Sequence, residues 1–321
     1  EFQKEVQVVM EERRLRTEDE PQALTYEQFM ATAYTSSPYR HPIIGWMDDL
    51  ENMEADDLKK WYRLWYAPNN ATVVVVGDVN ADEVLKLAKK YFGKLKPSNL
   101  TPPKPQREPA QRGQKRITVK APAELPYLLM GYKVPVINTT EEAWEPYALE
   151  VLAGVLDGGD SARFAKDLVR DKRIASSVSA GYSMTSRNSE VFLFDGTPTQ
   201  DHTINQLEEA IKAQIKQLKE ETVSDDELAR IKAQVVASNV YELDSVFYQA
   251  MQIGMLETVG LDWRLLDQYV DRIKAVTAEQ IKAVANKYLI DDHLTVAVLD
   301  PQPIDPKNMH RPMRRGGSHG H

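Results

Sequence analysis

Cysteine is absent from the 321 residues, which excludes disulfides and thiolate metal sites and leaves the redox compartment open. Long apolar runs are missing too: none reaches about 18 residues, so no segment is suited to cross a membrane as a helix. Positive charge is in deficit, with 40 Lys and Arg against 48 Asp and Glu. The net charge of -8 offers no basic face to a nucleic acid. Histidine is scarce, at six residues, and none of them follows a glutamate. What is present is ordinary globular material, 42% hydrophobic and 27% charged, with room for two domains.

The stretch around which the rest is organised lies at the start, Glu1 to Arg14. Phe2, Val6, Val9 and Met10 form an apolar stripe at a period of 3.6, which predicts an amphipathic helix. Glu5 and Glu12 stand seven residues apart, two helical turns, and flank the stripe on the same side. An acid at the border of a buried face is ordinarily a solvated flank. The wording around this pair says more. Glu5-Val-x-Val-Val-x-x-Glu12-Arg-Arg, followed by Arg16 and by Asp19-Glu20-Pro21, resembles the distal-ligand helix of the pitrilysin/insulinase-like zinc metallopeptidases, the inverzincins. That family includes the mitochondrial processing peptidases and small bacterial relatives.

The resemblance implies zinc-assisted peptide hydrolysis. In the family an inverted His-x-x-Glu-His motif supplies two zinc ligands and the general base, and a glutamate on a later helix supplies the third ligand. Glu12 takes that ligand's place, with Glu5 one heptad earlier as an outer residue that orients a ligand. No Glu-His pair exists in this chain, so the motif, and with it the catalytic base, is missing. The expectation is a chain that begins after its own catalytic helix. The alternative is a catalytically inactive relative that serves as a structural or binding subunit.

An internal repeat favours the first expectation. Thr25-Tyr-Glu-Gln28 has capping-box spacing, and a helix is expected from there through Phe29 and Ala33. His41 falls in a proline-bounded loop. A helix over 55–66 carries Leu58, Trp61, Tyr62 and Trp65, and the β-branched run Ala71 to Gly77 reads as a strand buried on both faces. Asn80 caps a further helix. The same helix-then-strand pattern recurs at 278–289 and 293–299 with a constant offset of 223, so that Leu58 falls on Ile281 and Thr72 on Thr295. Such an interval means two similar domains. A second domain starting near Arg116 then places its twin's start about 107 residues before Glu1.

The predicted fold is therefore α+β, two homologous domains, each a mainly antiparallel or mixed sheet with helices packed on one face. Residues 1–96 form the C-terminal half of the first domain and the proline-rich stretch 97–115 a linker. Residues 116–303 form the second domain and 304–321 a flexible tail, whose His310, His319 and His321 are suited to stray metal at most. Strands are expected at 116–120, 127–134, 178–183, 190–194 and 293–299. Helices are expected at about 141–156, through Phe164 and Leu168, at 201–220, and from caps at Ser224 and Thr277.

The turn Asp157-Gly-Gly-Asp160 before Ser-Ala-Arg163 lacks the spacing of a phosphate-binding loop. It resembles the family's glycine-rich turn in the second domain. There, an Arg on the next helix and a Tyr seven residues later hold the substrate backbone. Arg170 takes the Arg place, but Ser177 stands where the Tyr would be, and Tyr182 is out of register. The implied partners are peptide substrates and a homologous subunit, a heterodimer in preference to a homodimer because neither copy would bring that Tyr. The compartment stays open, the periplasm being preferred to the cytoplasm.

Overall fold

The computed structural model describes residues 1–104 and 106–304, and every statement below refers to these. The tail histidines lie outside them. The first stretch is helical: α1 (Phe2–Arg13), α2 (Pro21–Ala33), α3 (Met47–Glu51), α4 (Ala55–Trp65) and α5 (Ala81–Phe92). The α2 helix starts at Pro21, not at Thr25. Proline at the first helical position needs no N–H partner, and Thr25 sits inside the helix, buried, its hydroxyl donating to Pro21 O at 2.7 Å. Asn80 caps α5 by accepting from the N–H groups of Asp82 and Glu83, as its side chain is built to do.

The second stretch builds one five-stranded mixed sheet with order β1-β5-β2-β4-β3. The strands are β1 (Lys115–Pro122), β2 (Tyr127–Val134), β3 (Ala175–Gly181), β4 (Glu190–Pro198) and β5 (Leu294–Gln302). Only β1 and β5 run parallel; the other pairings are antiparallel. Between them lie α6 (Glu145–Asp157), α7 (Ile204–Glu220), α8 (Asp225–Glu242), α9 (Val246–Val259), α10 (Leu265–Ala275) and α11 (Ala278–Tyr288). The helix through Phe164 is a π-helix, Phe164–Asp171. Ser224 and Thr277 cap α8 and α11, Thr277 with a full capping box to Gln280.

Alternation along β2 explains the layering. Leu128, Met130, Tyr132 and Val134 face the core shared with α6, α7 and α11. Leu129 faces the other way, where with Val191 and Ala297 it packs on Phe29, Ala33 and Tyr34 of the α2 region. The second stretch's own helices pack on one face, as expected, and a helix from the first stretch covers the other. Gly131 permits the close approach: a Cβ there would lie 2.7 Å from Phe29 Cζ and closer still to Val191. Lys115 secures the same helix by donating to Thr32 O at 2.8 Å, at the end where its carbonyls lack partners.

The expected strand at 71–77 does not form. Ala71 is extended (φ -129°, ψ 136°), yet residues 71–77 pair with no strand among the described residues. Val73 and Val75 stay 66% and 49% exposed. A strand needs a neighbour to satisfy its N–H and C=O groups, and no described segment supplies one here.

The offset of 223 holds from α8 to β5. It carries Ala55–Trp65 onto Ala278–Tyr288 and the 3-10 turn Pro68–Asn70 onto Asp291–His293, residue for residue. It carries α1 onto the start of α8, α2 onto α9, and 71–77 onto β5. The proline-rich stretch before β1 is held as well. Glu108 accepts from the N–H groups of Thr35, Ser36 and Ser37 at 2.8–2.9 Å and from Lys133 at 2.5 Å, joining the first stretch to β2. Burial pushes its carboxyl up, but these donors outweigh burial and hold it at about 2.

Candidate functional site

The α1 helix forms where its apolar stripe predicts it. Val6 and Met10 are buried against Leu50 of α3, with Phe2, Val9, Met47 and Met53 around them. Glu12 flanks this contact: its side chain is 41% exposed and pairs with Arg16 at 3.1 Å across one turn. Glu5 is exposed. Directly after Arg13 the helix widens into a π-helical turn, Arg14–Glu18, a form common at functional sites.

Between the two flanking acids' helix and α2 lies a buried ion pair. Arg13 donates from Nη1 to Glu27 Oε2 at 2.7 Å and from Nη2 to Glu27 Oε1 at 2.9 Å, a two-pronged geometry. Its Nη1 also donates to Gly45 O at 2.8 Å, and its guanidinium lies 5.9 Å from the Trp46 ring. Gly45 turns its carbonyl inward from the left-handed region, φ 85°, which suits glycine. Arg13 and Glu27 are both buried, so the pair fixes α1 in rotation about its axis and thereby fixes where Glu12 projects. The sequence held a signal for this: residues 2, 6, 9, 10 and 13 share one stripe, and a cation on a buried stripe requires a buried partner.

The second group of expected residues lies elsewhere. Arg170, on the π-helix beside β3 and α6, is exposed and forms no ion pair among the described residues. Ser177 is exposed on β3, at a register shift against β4. Tyr182, just past β3, donates its hydroxyl to Pro135 O at 2.6 Å. The glycine-rich turn is tied down by Arg163, which donates to both carboxylate oxygens of Glu227 at 3.0 and 2.8 Å, at the start of α8. His41 accepts from Trp46 Nε1 at 3.3 Å in its loop.

A zinc site requires at least three ligands. No group of three or more His, Asp or Glu residues able to hold a metal exists among the described residues. Glu12 is a single carboxylate with an arginine beside it, so the residues present do not by themselves fit zinc.

Residues 52–235, more than half of the chain, match the peptidase M16 inactive domain. The chain belongs to the peptidase M16 family. Zinc protease PqqE of Helicobacter pylori is 34% identical over 306 residues, which are 94% of this chain and 67% of that protein. The uncharacterized zinc protease YmxG of Bacillus subtilis is 26% identical over 94% of this chain and 71% of its own length. The crystal structure of a protease from Helicobacter pylori superposes with a TM-score of 0.87 at 33% identity, over 94% of this chain and 72% of that one. The α+β arrangement, a mixed sheet with packed helices, is that of these M16 relatives. No helix among the described residues is long and apolar enough to cross a membrane.

Proposed function

We propose that this chain is the greater part of a zinc-dependent endopeptidase, in which Glu12 is one metal ligand. Glu5 stands as the outer acid that orients the site. The remaining ligands and the general base come from polypeptide outside the described residues. The observation that carries this reading is the Arg13–Glu27 lock, which holds α1 so that Glu12 sits half exposed beside its packed face. Two features support it further. M16 relatives at 34% and 26% identity are named zinc proteases. The first repeat also has an unpaired segment, 71–77, where the second has β5, as though neighbouring strands belong beside it.

The experiment compares the 321-residue chain with a longer polypeptide that carries the natural upstream sequence. Metal analysis and cleavage of a quenched peptide should show near-stoichiometric zinc and turnover only in the longer form. Glu12→Gln in that form should remove both while its circular dichroism is unchanged. Tight zinc in the short chain, or full zinc in the Glu12→Gln variant, rejects the ligand assignment.

A second reading is a binding or structural subunit without activity. The match to the inactive domain favours it, as do Ser177 in place of a tyrosine and the unengaged Arg170. An active pair would then join this chain to a homologous subunit that supplies the substrate-holding residues. Cleavage by the longer form alone, unchanged on adding that homologue, decides against the pairing.

A further inference from the structure

A cavity of about 520 Å3 opens between α6, α8, α9, α10 and the turn after β3. Two carboxylates line it, Glu150 from α6 and Glu242 from α8, and no lysine, arginine or histidine does. Glu150 has no hydrogen-bond donor; burial first, and then the charge of Glu242, push its carboxyl up to about 7. Gln252 Oε1, on α9, is buried without a hydrogen-bond partner. One wall is apolar, from Met251, Met255 and Leu256, and tyrosine rings from three elements complete the lining. Two like charges and an orphan acceptor facing one space cost free energy in the absence of a complement. A perturbed carboxylate beside an unpartnered acceptor in a cleft is what a site awaiting a ligand presents.

The complement is defined by what the cavity contains. The charged side chains that line it are both acids, with amide and hydroxyl groups around them, so positive charge is what a ligand has to bring. The aromatic and thioether walls ask for an apolar stem and favour a cation over ring faces. A divalent metal fits poorly, since no three ligating acids or histidines converge among the described residues. The repeat gives the place meaning: 12 + 223 is 235, and Val235 lines this cavity. At the position of Glu12 the second repeat thus has a valine, and the acid facing this space comes instead from α6, as Glu150.

We propose that this cavity binds an organic cation, a primary ammonium or guanidinium on a short apolar stem, with Glu150 and Glu242 as its counter-charges and Gln252 as an acceptor. The inference is independent of the peptidase reading. The same chemistry is presented by a free alkylamine and by a lysine or arginine side chain of a peptide.

Titration supplies a signature. The groups facing Glu150 are Glu242 on α8, Tyr182 after β3, Tyr248 on α9 and Tyr269 on α10. Burial raises all three tyrosines above their ordinary value, so they stay neutral. Cation binding then ionises Glu150 and releases a proton, and affinity rises with pH through 7.

The test is calorimetric titration of the 321-residue chain with agmatine, N-acetyl-lysine amide and a lysine-containing tripeptide, each against its norleucine or neutral counterpart, at pH 6 and 8. The cations are expected to bind at least tenfold more tightly than the neutral analogues. Their affinity should increase about tenfold from pH 6 to 8, following the ionised fraction of a group titrating near 7. Glu150→Gln should abolish the pH dependence and cut the preference for charge severalfold with the fold intact by circular dichroism. Glu242→Gln should weaken binding while shifting the pH dependence downward. Tighter binding of the tripeptide than of agmatine assigns a peptide side chain as the ligand; the reverse assigns a small amine. Equal affinity for the norleucine analogue overturns the proposal, as does binding unaffected by either variant. No cation binding up to about 10 mM, the limit of weak recognition, overturns it equally.

Discussion

The two repeats began as the same pattern and stand in different surroundings. In the second, Ile281, Val284 and Ala285 of α11 are wholly buried beneath the sheet. Their counterparts 223 residues earlier, Leu58, Trp61 and Tyr62 of α4, are 48%, 57% and 57% exposed. Leu294, Val296 and Ala297 of β5 are fully buried, whereas 71–77 is extended and unpaired. The helices formed in both places because caps and periodicity act locally. The strand formed only where two neighbours flank it. Helix is a property of the segment here, and sheet a property of the assembly.

The exchange between the repeats sharpens this. The α2 helix, from the first repeat, covers the sheet of the second at Ala297. Its counterpart α9 meets the first repeat at the matching residue: a Cβ on Gly254 would lie 3.7 Å from Val74 Cγ2, and 74 + 223 is 297. One contact is a buried interface and the other its bare outline. Phe29→Ala, emptying a fully buried site, should destabilise by about 3–5 kcal/mol, seen as a lower urea midpoint. Phe247→Ala on α9, where the ring is 74% exposed, should stay within about 0.5 kcal/mol. Equal losses would erase the contrast between these helices.

Ile281→Ala and Leu58→Ala test the paired helices in the same way. The first should cost about 2–5 kcal/mol and the second under about 1 kcal/mol in this chain. In a longer polypeptide that places strands beside 71–77, the cost at Leu58 should climb into the Ile281 range. A Leu58 cost that stays small there means the first repeat builds no second sheet.

Glu108 tests the junction of the halves through acid. Its folded value of about 2 lies below its ordinary 4.5. Ionised Glu108 therefore stabilises the fold above pH 4.5, and the contribution is lost as pH falls towards 2, with a full size of about 3 kcal/mol. Glu108→Gln should lower stability at pH 7 and flatten the dependence between pH 5 and 2, by denaturant titration. An unaltered slope means the proline-rich stretch is not held through this carboxylate. The smallest expected effect is at Glu12: its exposed pair with Arg16 makes Glu12→Gln worth less than about 0.5 kcal/mol. A larger loss of stability would mark Glu12 as a structural residue.

Sequence patterns located most elements because the signals are local. Asn80, Ser224 and Thr277 each cap the helix they were expected to cap. β2 falls on the apolar run 127–134. Thr25 failed as a cap because Pro21 starts the helix one turn sooner. The β3 strand begins at Ala175 instead of Val178 because its pairing with β4 extends beyond the alternating residues. Glu12 was readable through resemblance, but the partner that orients its helix was not, since Glu27 lies fourteen residues from Arg13 with nothing in the spacing to join them. The Glu150 cavity was beyond reach for the same reason: four helices converge on it from far apart in the chain.

The α2 contact also sets a clock on synthesis. Phe29 packs on Leu129, Val191 and Ala297, which lie 100, 162 and 268 residues further along. At roughly 5–20 residues per second, the last of them leaves the ribosome roughly 13–54 s after Phe29 does. Leu129 and Val191 on the paired strands β2 and β4 emerge earlier, so Phe29 and Tyr34 gain partial cover first, and the contact is complete only once β5 is made.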